Sequence, residues 1–300
     1  MEMTERRIPS ADNIHQLYCR VYTPYGTPKG LFHVVHGMTE HIRRYDGFMR
    51  FMAEHGYVCY GFDNLGHGYT AGSDEDLGYI GNWQWPVDDV RNVSLLMKSE
   101  FGEELPCYLL GHSMGSFIAR CGATPTIWNK AIFMGTGGPN PASGPGLLYI
   151  RHLIRKDGER GYSSTIEKLL FGSYNKRFEG ETDFMAMLST IPEVKEAYRN
   201  DPYCTFRFTL NAHYVLVKLQ MLCNKKTWFH NISANLPIIL MSGSEDPVGN
   251  YGKGVQAVYD NLKKFGKDAR IKIYQGCRHE ILNDTCREEV IADILAFTEE

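Results

Sequence analysis

Hydrophobic and polar positions follow two alternating periods along this chain. Short runs of β-branched, aromatic and other apolar residues fall at 16–23, 30–36, 57–62, 107–110, 130–134, 236–242 and 269–274. Each has the length and composition of a strand. Between them lie stretches with helical spacing. Residues 83–101 carry Val87, Val90, Val93 and Met97, and residues 285–298 carry Val290, Ile291, Ile294, Leu295 and Phe297. Helices are also predicted at 45–55, 116–122 and 253–265. Glycines stand where two of them stop, Gly56 and Gly102, as helix ends favour. Strands alternating with helices predict an α/β architecture, a mostly parallel central sheet covered by helices on both faces.

The alternation lapses between 137 and 230. Residues 137–146 hold too much glycine and proline for an element. Helix-like pieces follow at 147–156, 165–171, 182–188, 191–199 and 211–223, with no clear strand among them. The expected organisation is therefore a core of residues 1–136 and 231–300 and a helical cap or lid insertion at 137–230. The insertion holds Tyr149, Phe171, Tyr174, Phe184, Met185, Met187, Tyr203, Phe206 and Phe208. Such side chains suit an apolar underside facing a substrate pocket, or simply bury the cap against the core.

Composition narrows the function classes. A hydrophobic content of 43% with 22% charged residues describes a soluble globular chain. A net charge of −3 offers no basic field for nucleic acid. Eight cysteines are scattered without a C-x-x-C pair, which fits a reducing interior better than a disulfide framework. Residues 1–13 lack the apolar core of a signal peptide, and no apolar run reaches membrane-spanning length. The expectation is a cytoplasmic protein.

The candidate chemistry centres on residues 107–117. An apolar strand breaks at Gly111-His112-Ser113-Met114-Gly115, and a helix follows. A serine on such a turn takes strained backbone angles and needs small neighbours two positions away. Three further loops leave strand ends with suitable groups. Asp246 follows the strand at 236–242, His279 the strand at 269–274, and Met38 the strand at 30–36. A serine hydroxyl needs a base beside it. Imidazole serves near neutral pH, and a carboxylate behind it fixes the tautomer. The expected catalytic set is Ser113 as nucleophile, His279 as base and Asp246 as orienting acid, with Glu245 the alternative acid. The order Ser…Asp…His is that of α/β-hydrolases. Backbone N–H groups of Met38 and Met114 are the expected oxyanion donors. His67 and His112 are expected to be structural, with the His112 ring turned from the substrate.

With these residues in hand, the chain resembles the monoacylglycerol lipase and lysophospholipase branch of the α/β-hydrolases, the serine aminopeptidase-like group. The matching segments are His36-Gly37-Met38-Thr39-Glu40-His41-x-x-Arg44-Tyr45, Asp63-x-x-Gly66-His67-Gly68, the turn at Ser113, Ser242-Gly243-Ser244-Glu245-Asp246-Pro247-Val248, and residues 274–280. The resemblance implies the same triad and oxyanion donors. It departs at Leu65, where the family usually has arginine, and at Thr70, where serine is common. The expected activity is hydrolysis of carboxylic esters through an acyl-enzyme, on monoacylglycerols, lysophospholipids or short to medium acyl esters. No cofactor and no metal are expected. The partner is a small-molecule acyl ester, with transient lipid-surface contact through the lid an added possibility and the oligomeric state open. Two other readings share the scaffold. An aminopeptidase would need a cap carboxylate for the substrate amine, from Glu181, Asp183 or Glu193. A non-catalytic binding protein would commonly have lost a triad member, and none is missing here.

Overall fold

The computed structural model describes residues 1–300 apart from 125, 179 and 182. Eight strands among the described residues form one sheet: β1 (Glu2–Pro9), β2 (Gln16–Thr23), β3 (Gly30–Val35), β4 (Tyr57–Phe62), β5 (Cys107–His112), β6 (Lys130–Met134), β7 (Ile238–Gly243) and β8 (Ala269–Tyr274). Their order is β1-β2-β4-β3-β5-β6-β7-β8. The pairs β1–β2 and β2–β4 are antiparallel and the rest are parallel. Helices α1 (Asp46–Glu54), α2 (Gln84–Phe101) and α3 (Met114–Gly122) precede β6. Between β6 and β7 come α4 (Ser143–Asp157), α5 (Ser164–Phe171), α6 (Pro192–Arg199), α7 (Leu210–Leu222) and α8 (Lys226–Asn231), and α9 (Lys253–Lys264) and α10 (Arg287–Glu299) close the chain.

The near-continuous apolar strands are explained by burial on both faces. Leu109, Leu31 and Leu240 point into one core layer with Val90 and Met97 of α2, Phe117 of α3 and Val258 of α9. Their neighbours Leu110, Phe32 and Met241 point the other way, against Met49 of α1 and Ile294 of α10. The period of two along each strand thus feeds two layers.

Several boundaries differ from the sequence expectation. The polar N-terminal stretch forms β1, an edge strand whose face is mostly exposed, with Ile8 its buried anchor. Helix α4 begins at Ser143, inside the expected loop, because Pro145 occupies its first turn, where a backbone N–H has no helical acceptor anyway. The helix expected at 182–188 begins on a residue outside those described, and a 3₁₀ turn runs over Phe184–Met187. Helix α8 was not expected. Cys277 and Cys286 are joined as a disulfide across the loop bearing His279. Spacing alone offered no signal for that link, and it departs from the reading of eight reduced cysteines.

The segment between β6 and β7 is stitched to this same loop. His279 N–H donates to Met187 O at 3.1 Å and Glu280 N–H to Leu188 O at 2.8 Å. Arg278 donates to Ala186 O at 2.6 Å and pairs with Glu181 at 2.8 Å.

Candidate active site

The turn between β5 and α3 puts Ser113 at φ 53° and ψ −120°, a conformation L-residues avoid and that surrounding structure must enforce. The enforcement is visible in the packing. A Cβ on Gly111 would collide with Gly115 O and sit 2.7 Å from the Ala119 Cβ, and a Cβ on Gly115 would strike Val35 O. Ser113 N–H donates to Met134 O at 2.9 Å, and Ser116 Oγ donates to Ser113 O at 2.6 Å. The Ser113 hydroxyl itself has no hydrogen-bond partner among the described residues and is half-buried.

Asp246 and His279 reach the same end of the sheet from the loops after β7 and β8. The Asp246 Oδ2 and His279 Nδ1 atoms are 2.9 Å apart, off the line of a well-formed hydrogen bond. Oδ1 accepts from Val248 N–H at 2.8 Å. Burial alone would raise the Asp246 carboxyl, but the neighbouring His279 and the Val248 N–H outweigh it and hold the group below the usual carboxylate range. The His279 ring lies against Gly135, the residue after Met134, so it flanks the β6 end to which Ser113 is bonded. Glu245, the alternative acid, turns its half-exposed side chain toward Ser244 Oγ, 3.4 Å away.

The loop after β3 is held on both sides of Met38. Gly37 N–H donates to Glu40 Oε1 at 2.5 Å. On the other side, the Tyr198 hydroxyl donates to Thr39 O at 2.5 Å. The N–H groups of Met38 and Met114 have no acceptor among the described residues. Unpartnered amides at a helix N-terminus can stabilise negative charge.

Beneath lies a buried charge network to which sequence reasoning assigned no role. Glu40 Oε1 also accepts from the Tyr45 hydroxyl and from His112 Nδ1, each at 3.0 Å. Arg44 reaches Glu40 Oε2 at 3.1 Å and holds both oxygens of Glu280 at 2.6 Å. His112 Nε2 faces His279 O at 3.3 Å. Burial would lower the His112 pKa, but Glu40 outweighs it and raises it. The Glu40 carboxyl is correspondingly held well below the usual range, against its own burial. The available signal was charged residues four apart, Glu40 and Arg44, inside a short motif. Their partner Glu280 is too distant in sequence to be paired by inspection.

His67 is buried, its Nδ1 2.9 Å from Leu65 O and its ring against Phe206 and Phe208. Leu65 is buried beside it, and the Thr70 hydroxyl donates to Asp63 O at 2.6 Å, so apolar packing and this bond hold the loop. A cavity of about 580 Å³ lies under the inserted helices, lined by Met38, Phe171, Phe184, Met185, Phe206, Phe208 and His213 among others. Tyr149, Tyr174, Met187 and Tyr203 do not line it. His213 donates Nδ1–H to Thr209 O at 3.0 Å, and burial lowers its pKa to about 4, keeping it neutral. The three carboxylates Glu181, Asp183 and Glu193 take other positions. Glu181 pairs with Arg278 and Lys195, which hold it down to about 2. Asp183 pairs with Arg199, and Glu193 is exposed.

A doubly covered, mostly parallel sheet with a serine on a strained strand-to-helix turn defines an α/β-hydrolase. The sequence matches the profile described as serine aminopeptidase, S33, over residues 26–286. The chain belongs to that family. It is 27% identical to a monoglyceride lipase of Homo sapiens over 286 residues, covering 92% of this chain and 86% of the relative. A monoacylglycerol lipase of Mycolicibacterium smegmatis is 24% identical over 281 residues, covering 92% and 90%. A thermostable carboxyl esterase from Bacillus coagulans, solved with glycerol, superimposes with a TM-score of 0.94 at 29% identity, covering 100% of this chain and 98% of its own.

Proposed function

We propose that this protein is a serine hydrolase of carboxylic esters that works through an acyl-enzyme, with Ser113, His279 and Asp246 as its triad. One observation carries the assignment: Ser113 is held at positive φ on the strand-to-helix turn, at the strand end flanked by the Asp246–His279 pair. Ser113 Oγ attacks the ester carbonyl as His279 Nε2 takes its proton. Asp246 keeps the Nδ1–H form and stabilises the imidazolium. The Met38 and Met114 N–H groups receive the oxyanion. His279 then protonates the leaving alcohol, and a water activated by the same nitrogen releases the acid.

The relatives support monoacylglycerols as substrates, with lysophospholipids and shorter acyl esters in the same class, and the aromatic cavity supports an apolar acyl chain. An aminopeptidase reading has no support from Glu181 and Asp183, which are engaged in ion pairs. We assign residues 137–230 as the cap. Leu148 at 68% and Leu169 at 69% exposure on α4 and α5 support its contact with a lipid surface. Among the described residues no helix is long and apolar enough to cross a membrane. A cytoplasmic location rests on the six free cysteines, and the Cys277–Cys286 link weighs against it.

The test is hydrolysis of p-nitrophenyl esters of graded acyl length by wild type and Ser113→Ala. Turnover lost in the variant, with an optimum at one acyl length, is expected. Equal turnover by both proteins would sink the assignment.

A further inference from the structure

The oxyanion loop meets the cap at a second cluster of chemically competent side chains that the hydrolytic mechanism does not use. His41 lies three residues beyond Met38 and is buried. Its Nε2 is 2.8 Å from Asp201 Oδ2, and its Nδ1 is buried with no partner. Cys204, also buried, completes the group. One ring nitrogen of His41, one carboxylate oxygen of Asp201 and the Cys204 sulfur all lie within 4.8 Å of one another.

The cap side of this cluster is preorganised. Asp201 Oδ1 accepts from Tyr203 N–H at 2.9 Å, and Asp201 O accepts from Cys204 N–H at 2.9 Å. That turn commits Oδ1 and leaves Oδ2 facing His41. The Cys204 sulfur has no hydrogen-bond partner among the described residues. Cys204 and Thr39 both line the cavity under the cap, so one side of the cluster opens to it.

We propose that His41, Asp201 and Cys204 form a binding site for one zinc-class divalent cation, tying the cap to the oxyanion loop. The donor set decides the class of ion. Thiolate and imidazole favour zinc and its neighbours, whereas magnesium and calcium require oxygen donors. Zinc bonds of about 2.0–2.3 Å put tetrahedral ligand atoms roughly 3.5 Å apart. With its three atoms within 4.8 Å of one another, the cluster must contract by about 1.3 Å at most to reach that spacing. Binding replaces the His41–Asp201 hydrogen bond with two metal bonds. The Cys204 S–H bond breaks, its proton passes to buffer, and the sulfur lone pair forms the third bond. The metal keeps its oxidation state and, in passing from six waters to three protein ligands and one remaining position, releases about five waters. Its remaining position faces the cavity. The ion stands apart from Ser113 and His279 and takes no part in ester cleavage, so its test is independent of that reaction.

The experiment is titration of chelator-treated full-length protein with Co²⁺ alone, followed by absorption. One equivalent is expected to produce the sulfur-to-cobalt charge-transfer band. Zn²⁺ should bleach the band and Mg²⁺ should leave it. Cys204→Ser should abolish the band with an unchanged circular dichroism spectrum, and Asp201→Asn should weaken binding tenfold or more. Zn²⁺ should raise the thermal midpoint of wild type and leave that of Cys204→Ser unchanged. Absence of the band in wild type would overturn the site, as would its persistence in Cys204→Ser.

Discussion

Gly135 offers a sharp test of whether the His279 ring does the chemistry. It follows β6 at φ +58°, and a Cβ placed there would lie 2.9 Å from His279 Cε1, 3.1 Å from Nδ1 and 3.3 Å from His112 Cδ2. Carbon atoms pack at about 3.5–4.0 Å. In Gly135→Ala the imidazole must therefore retreat by roughly 0.5–1 Å, while His112 blocks part of the way. Misplacing a reacting group by about 1 Å costs on the order of 100-fold in rate. The backbone adds its own penalty, since alanine at positive φ costs about 1–2 kcal/mol. Gly266 separates the two effects, because it has φ +69° and nothing within 4 Å of an added Cβ. Gly266→Ala is expected to lose about 1 kcal/mol in urea unfolding and keep full kcat/KM. Gly135→Ala should lose a similar stability and, in addition, about 100-fold in kcat/KM on p-nitrophenyl esters. Full activity in Gly135→Ala, with the stability loss of the control, would refute the role given to the ring.

Three other outcomes are expected. Glu40→Ala leaves Gly37 N–H, Tyr45, His112 and Arg44 without their shared acceptor. It should cost about 3–5 kcal/mol in urea unfolding, and a loss below 1 kcal/mol would show that the network is replaceable. Burial pushes the Asp89 carboxyl up to about 7, against the hydrogen bonds it accepts from Ala11 N–H and Ser10 Oγ. The folded state therefore binds that proton more tightly than the unfolded chain does. This contribution to stability is fully present below the unfolded-state pKa near 4 and is lost as pH rises to about 7, amounting to a few kcal/mol. Asp89→Asn should remove that fall, and unfolding curves whose difference from wild type is the same at pH 4.5 and 7.5 would contradict it. Leu148→Ser combined with Leu169→Ser should weaken sedimentation with phosphatidylcholine vesicles while leaving hydrolysis of a soluble short-chain ester unchanged. Equal sedimentation would place lipid contact elsewhere.

Much of this architecture was legible from local pattern. The strands at Tyr57–Phe62, Lys130–Met134 and Ala269–Tyr274 have the bounds that their apolar runs predict. The turn at Ser113 was legible because Gly111 and Gly115 leave room for little else. What escaped was set by partners elsewhere. The strand Glu2–Pro9 is polar and becomes a strand through its ladder with Gln16–Thr23. The disulfide depends on where the loop after β8 folds back. The charge network belongs to the same class, for Glu40 meets His112 across 72 positions and Arg44 meets Glu280 across 236. His41 and Asp201 are 160 apart. Side-chain period and turn chemistry are properties of neighbouring residues and can be read along the chain. Whether a carboxylate is buried, and which cation or amide then answers it, depends on the surface that distant segments close over it. Only the folded sheet and the helices packed over it decide that.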